Sequence, residues 1–293
     1  MPLSEINGIA VSSISKLDGI SSVATVDGIG YPSGFTPTVL LSYGFDDQTV
    51  ATSNTGAGWN PTLTHSGWGN GNVVVDGTQW APTGTQTNVT LVGKNSGAWR
   101  CDSNATASTN TGPAGALSSA FNGSHDTSAS TKYIYSETSG TLGSELIVCR
   151  TPGFRPSQIR QGQNTSLNLR FWLHGYGDSI DKLFVYVDDA STSNATNALL
   201  YATYTASHTG AANTGTTTLT AVPGAQHTGV TPTTYTYSSQ SNSPWIQSTI
   251  NLYAIRNETT FHYIYFVMVA KAGIQNQTFR GDLGIDQVEI VEV

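Results

Sequence analysis

Residues 167–174 place the strongest constraint on what this chain can fold into. Leu167-Asn168-Leu169-Arg170-Phe171-Trp172-Leu173-His174 alternates apolar and polar side chains, the period of a strand with one buried face. The same texture returns at 132–136, 182–188, 244–252, 262–270 and 283–291, and residues 145–149 add another apolar run. No window sustains the 3.6-residue apolar period of an amphipathic helix. The expectation is an all-β fold in which two sheets close around an apolar interior.

At 293 residues the chain can bury a large core without metals or many disulfides. Only 11% of residues are charged, so Ser, Thr, Asn and 31 glycines must supply the turns and exposed strand faces. Aromatics make up 10%, which argues for a packed core and against disorder. The net charge is −7 with no Lys/Arg cluster. Phosphates would be repelled, and no nucleic-acid partner is expected. No apolar run approaches the roughly 20 residues that span a bilayer, so no membrane insertion is expected. Met1-Pro2-Leu3-Ser4-Glu5 has neither the charged start nor the long apolar stretch of a signal peptide, and export by that route is not expected.

Residues 1–34 differ in kind. Ile6-Asn7-Gly8-Ile9, Leu17-Asp18-Gly19-Ile20 and Val26-Asp27-Gly28-Ile29 repeat one pattern. Asn-Gly and Asp-Gly favour two-residue hairpin turns, because both turn residues need positive φ. The repeat is too short to bury a core. It reads as a β-hairpin or attachment arm, with Ile6, Gly8, Ile9, Leu17, Gly19, Ile20, Val26, Gly28 and Ile29 as its contact residues, pairing with another chain. The alternative is an ordinary hairpin that merely precedes the next domain. Residues 35–293 are expected to form that domain. Within it, residues 190–243 are rich in Thr, Ser, Gly, Ala and Asn. A structureless loop of that length would be unusual. A β-hairpin excursion is expected, with 199–204 and 233–237 as its two arms.

Six segments, taken in order, carry a resemblance. They are Trp99-Arg100, Thr111-Gly112-Pro113, His125-Asp126-Thr127, Tyr133-Ile134-Tyr135-Ser136-Glu137-Thr138, Leu169-Arg170-Phe171-Trp172-Leu173-His174-Gly175-Tyr176-Gly177, and Gly281-Asp282-Leu283-Gly284-Ile285-Asp286-Gln287-Val288-Glu289-Ile290. Their order and chemistry resemble the MAM domain, an extracellular jelly-roll β-sandwich of adhesion and recognition proteins. Residues 39–47, ending Phe45-Asp46-Asp47, are similar to that family's opening strand. The resemblance implies a jelly roll (MAM- or lectin-like) over about 36–293, and binding rather than bond-making, so no enzyme and no catalytic residue is expected. The family's cysteine framework is absent. Ser15-Lys16-Leu17-Asp18-Gly19-Ile20 is similar to N-terminal regions of virion proteins from tailed bacteriophages of aquatic bacteria.

Asp46, Asp47, Asp126 and Asp286 fall at positions where, by the resemblance, jelly rolls gather acids near a cation. They are candidates for a Ca2+ site, which takes oxygen ligands; capping of turns is the other reading. Cys101 and Cys149 are candidates for one disulfide if the fold brings them together. Tyr31, Trp59, Trp68 and Trp80 lie in Gly/Asn-rich stretches, and flat aromatic faces beside amides suit sugar rings or a partner protein. Burial under long loops is equally compatible with their sequence. Trp99, Trp172, Phe171 and Trp245 fall on strands and are expected in the core. His174 is expected to hydrogen-bond within the sheet. Asp178 with Asp181, and Asp188 with Asp189, are carboxylate pairs by spacing alone, in turn-like sequence.

Three functions remain open. The first is a structural component of a tailed-phage virion (capsid decoration, head fibre or tail fibre/adhesin). It would be held at the particle surface by its arm to other virion proteins, as a homo-oligomer, and would touch a host-surface glycan. The second is a carbohydrate-binding or adhesion module of a bacterial surface or secreted protein. The third is a glycan-degrading enzyme using the acid pairs above.

Overall fold

A computed structural model describes residues 5–6, 9–10, 38–46, 99–106, 110–137, 146–156, 166–189, 198–211, 214–224, 233–240, 243–271 and 281–292. The chain groups into two units, Met1–Thr38 (with Val293) and Val39–Glu292. In the first unit, β1 (Glu5–Ile6) pairs antiparallel with β2 (Ile9–Ala10), Ile6 opposite Ile9. The other attachment-arm residues, Gly8, Leu17, Gly19, Ile20, Val26, Gly28 and Ile29, lie outside the described residues.

The second unit is an antiparallel β-sandwich. One sheet takes the order β14 (Ile246–Asn251), β9 (Leu167–Gly177), β16 (Gly281–Glu292), β7 (Tyr133–Glu137) and β4 (Trp99–Asp102), with β3 (Thr38–Tyr43) also pairing β16. The other takes the order β13 (Thr233–Tyr237), β12 (Thr216–Pro223), β11 (Leu199–Thr209), β10 (Ile180–Asp188), β15 (Tyr263–Ala270) and β8 (Leu146–Arg150). From β7 to β10, and again from β13 to β16, the chain changes sheet at each step, as in a jelly roll. A small ribbon of β5 (Ala116–Leu117) and β6 (His125–Asp126) belongs to neither sheet.

Alternation explains the core. Leu169, Phe171 and Leu173 of β9 pack with Leu283 and Ile285 of β16, and with Leu183, Val185, Ile264 and Phe266 of the opposite sheet. Phe171 meets Phe266 edge-on at 5.2 Å and Tyr204 at 6.0 Å. β10 and β15 are buried on both faces. Phe184, Tyr186, Tyr265 and Val267 form a second apolar cluster behind the sheet, so these strands read as nearly continuous apolar runs.

The 190–243 excursion differs from expectation. Its two arms do not pair with each other; β12 lies between them and pairs with both. The three strands extend the second sheet outward from β10 and bury Tyr204, Leu219, Ala221, Tyr235 and Tyr237 in the main core. Tyr237 donates its hydroxyl to the carbonyl of Leu173 in the other sheet at 2.9 Å. Tyr204 and Tyr235 both reach Ser248 of β14.

The proposed Cys101–Cys149 bridge is not formed: both are free, buried thiols. They stand on β4 and β8, in opposite sheets. Burial pushes the Cys101 thiol up to about 12 and raises Cys149 as well, so neither supplies the thiolate that exchange chemistry needs.

Candidate binding groove

The first sheet's outer face has a covered half and an open half. The cover is the β5–β6 ribbon with its flanking turns. Trp245 donates its indole N–H to Gly115 O at 3.0 Å, and its backbone N–H to Gly123 O at 2.7 Å. Gly284 of β16 sits beneath this cover; a Cβ there would lie 2.6 Å from Pro113 Cγ and 2.8 Å from Trp245 Cη2. Only glycine lets the ribbon lie so close. Asp286 ties the ribbon down from below, its Oδ2 accepting the Leu117 N–H at 2.8 Å and its Oδ1 the Gln287 N–H at 2.7 Å. Burial holds the Asp286 carboxyl well above the usual range; these two N–H groups oppose the shift and nearby Asp46 adds to it.

Two histidines lie within the cover. His125 Nδ1 is 3.1 Å from Gly115 O and its Nε2 is 2.8 Å from Ser243 O. Both partners are backbone carbonyl acceptors. His174 does not hydrogen-bond within the sheet as expected. It is fully buried among the rings of Tyr237, His125 and Trp245, and neither nitrogen makes a well-formed hydrogen bond. Burial first, then His125, keeps its pKa well below the ordinary histidine value, with the Ser243 backbone pulling the other way. The unfolded chain therefore binds a proton at this position as pH falls below about 6.5 while the folded chain does not. This contribution is intact above that pH and is lost on acidification, at up to about 1.4 kcal/mol per pH unit. A His174→Asn variant should thus lose less stability than the parent between pH 7.5 and pH 5 in urea unfolding. Equal losses would refute this account.

The open half is a groove of about 400 Å³ lined by Phe121, Trp172, Gln247, Gln287 and Glu289, within the size range of small-ligand sites. Trp172 leaves β9 on the face opposite Phe171, and Gln247 of β14 stands directly across from it. Trp172 is half-buried and packs against the Tyr133, Tyr135 and Trp245 cluster. It is a groove residue, not a member of the main core as expected, because strand alternation points it outward. Glu289 of β16 faces Arg170 of β9 in register, one row along from Trp172.

Backbone strain concentrates here. Four non-glycine residues among those described have positive φ, and two of them, Phe121 (51°) and Gln287 (47°), line the groove. Such conformations cost about 1–2 kcal/mol for ordinary side chains. Gln287 is the extra residue of a β-bulge: between Asp286 and Glu289 the register with β9 shifts by one. The bulge turns Gln287 outward beside Asp286 and returns Val288 to the core. Its side chain lies against Gly44, where a Cβ would be 2.5 Å from Gln287 Nε2. Phe121, 52% exposed, is held out by a tight turn in which Phe121 N–H bonds Ser118 O and Asn122 Oδ1 takes the Ser118 hydroxyl and Ser124 N–H.

The other sequence candidates are placed as follows. Asp46 accepts the Lys132 backbone N–H at 2.9 Å, and its carbonyl takes the Lys132 ammonium. Asp126 caps the Ser128 N–H at 2.8 Å in an exposed turn. Among the described residues no group of three or more His, Cys, Asp and Glu side chains is arranged to hold a metal ion. Asp46, Asp126 and Asp286 each accept backbone N–H groups instead. Asp47, Tyr31, Trp59, Trp68 and Trp80 lie outside the described residues. Asp178 sits in the turn between β9 and β10, and Asp181 is 3.9 Å from the Lys182 ammonium. Phe121, Gln247, Gln287 and Glu289 had not been singled out. The signal for the β16 pair was present: apolar residues fall at 283 and 285, then at 288 and 290, a one-residue slip that marks a bulge.

No protein-family model matches the chain, and no curated protein matches it. Among solved structures it is similar to the K2 cleaved adhesin domain of Lys-gingipain (Kgp), with a TM-score of 0.37 and 13% identity over 85% of this chain and 96% of that chain. Overlap at that level carries no argument about activity.

Proposed function

We propose that this protein is an adhesion-type module: a β-sandwich that holds a surface-facing groove and binds rather than transforms what it meets. The observation that carries the reading is the groove itself, an open aromatic-and-amide hollow edged by two residues in strained backbone conformations. Strain of this kind persists where the surrounding structure enforces it, and it clusters at ligand sites. The resemblance of the six sequence segments to the MAM domain supports the same reading. The finer reading is a tailed-phage virion component, attached through residues 1–34 to other virion proteins. The Asn/Asp-Gly repeats support it, together with the β1–β2 hairpin, whose short open strands suit strand addition.

Fluorescently labelled full-length protein should sediment with intact bacterial cells of at least one aquatic strain, and Gln247→Ala should reduce the amount bound. Absence of binding across a broad panel of strains would defeat the adhesion reading. For the finer reading, mass spectrometry of purified phage particles should find the chain at a fixed copy number, lost on deleting residues 1–34.

A further inference from the structure

We propose that the groove takes a neutral pyranose of a surface glycan, with an apolar ring face against Trp172 and hydroxyls directed to Gln247, Gln287 and Glu289. The inference rests on the adhesion reading and names the ligand class. A sugar ring presents a flat patch of C–H groups on one face and a rim of hydroxyls, each both donor and acceptor. Trp172 offers the largest flat apolar surface of any side chain. Gln247 lies beside it across the β9–β14 pair, and Gln287 beside Asp286, which faces Trp172 in register. Each amide offers donors and an acceptor, and the Glu289 carboxylate can accept from two neighbouring hydroxyls at once.

Charge narrows the class. Among the described residues the lining holds one carboxylate and no cationic side chain, on a chain of net charge −7. Its nearest register cation, Arg170, faces Glu289 itself. Uronates, sialic acids and sulfated sugars would bring a second negative charge to a site that already holds one, so they are disfavoured. An apolar peptide would fill the aromatic part but leave two amides and a carboxylate without partners, a loss that sugar hydroxyls avoid. Phe121 closes one side with an exposed ring, and its strained turn holds that ring out before ligand arrives. The site therefore loses less ordering entropy on binding. A groove this open should bind one oligosaccharide weakly, on the order of millimolar, with avidity coming from several copies on a surface.

The test uses the full chain with cellotetraose, maltotetraose, chitotetraose and tetragalacturonate as probes, read by saturation-transfer NMR and calorimetric titration. At least one neutral oligosaccharide should bind and tetragalacturonate should not. Trp172→Ala should weaken binding at least tenfold, with an unchanged circular dichroism spectrum. Phe121→Ala, at an exposed position, keeps the test valid if the Trp172 variant fails to fold, and should weaken binding several-fold. Equal or tighter binding of tetragalacturonate, or undiminished binding by both variants, would overturn the proposal. If the protein sediments with cells yet binds no neutral probe, the sugar assignment fails and the adhesion reading stands. If it binds neither cells nor probes, both fail.

Discussion

Phe171→Ala should lower the unfolding free energy by about 3–5 kcal/mol, the range for emptying a buried aromatic site. Phe171 has no exposed surface and sits where Phe266 and Tyr204 of the opposite sheet meet β9, so neither sheet can collapse into the space without moving the other. Domains of this kind are stable by roughly 5–15 kcal/mol in total. The variant should therefore keep its fold only narrowly, with a melting temperature lower by about 6–20 °C. Phe261→Ala is the matching control. That ring is 54% exposed, and the change should cost under about 0.5 kcal/mol. Urea denaturation of the two variants separates burial from composition. A loss below about 1 kcal/mol at Phe171 would mean that the two sheets do not share one packed interior.

Leu219→Ala should cost about 2–5 kcal/mol, and the loss should be felt by the whole sandwich. Leu219 lies on β12, in a stretch of threonines, with its side chain fully buried in the main core. It also closes over Gly175 of β9, where a Cβ would lie 2.9 Å from Leu219 Cδ1. If β11–β13 were an appended flap, the substitution would produce an early local transition and spare the rest. With the strands integrated, unfolding followed by tryptophan fluorescence and by far-ultraviolet circular dichroism should coincide and shift together. Two separated transitions would show the excursion to be independent.

Much of the fold was legible because two sheets with one shared interior impose a period of two on the strands that face it. Residues 167–174 carry that period openly, and Asn7-Gly8 announces the pairing of β1 with β2. β12 was hidden because Thr216-Thr217-Thr218-Leu219-Thr220-Ala221 puts small polar residues where a strand usually shows contrast, and its buried face is filled by tyrosines from its neighbours. β10 and β15 were legible as strands, yet nothing local distinguishes burial on both faces from burial on one. The groove was harder. Trp172 is apolar, and an apolar residue on a core strand invites assignment to the core, although its parity relative to Phe171 puts it on the other face. Gln287 was readable in principle from the broken spacing between Ile285 and Val288. Phe121 was not readable, because its exposure depends on a turn whose partner, Trp245, is distant in sequence. Asp286 looked like a cation ligand. Its burial and its tie to Leu117 could be known only after the ribbon was seen to fold over β16.

The place of β16 between β9 and β7 has a consequence for how the molecule is made. A ribosome that has synthesised the chain through residue 271 has produced every other described strand, but not the one that joins those two. Until then the nascent chain exposes two unsatisfied edges and half of an apolar interior, a condition that invites aggregation or chaperone capture. Assembly of that sheet therefore waits for a segment made after every other described strand.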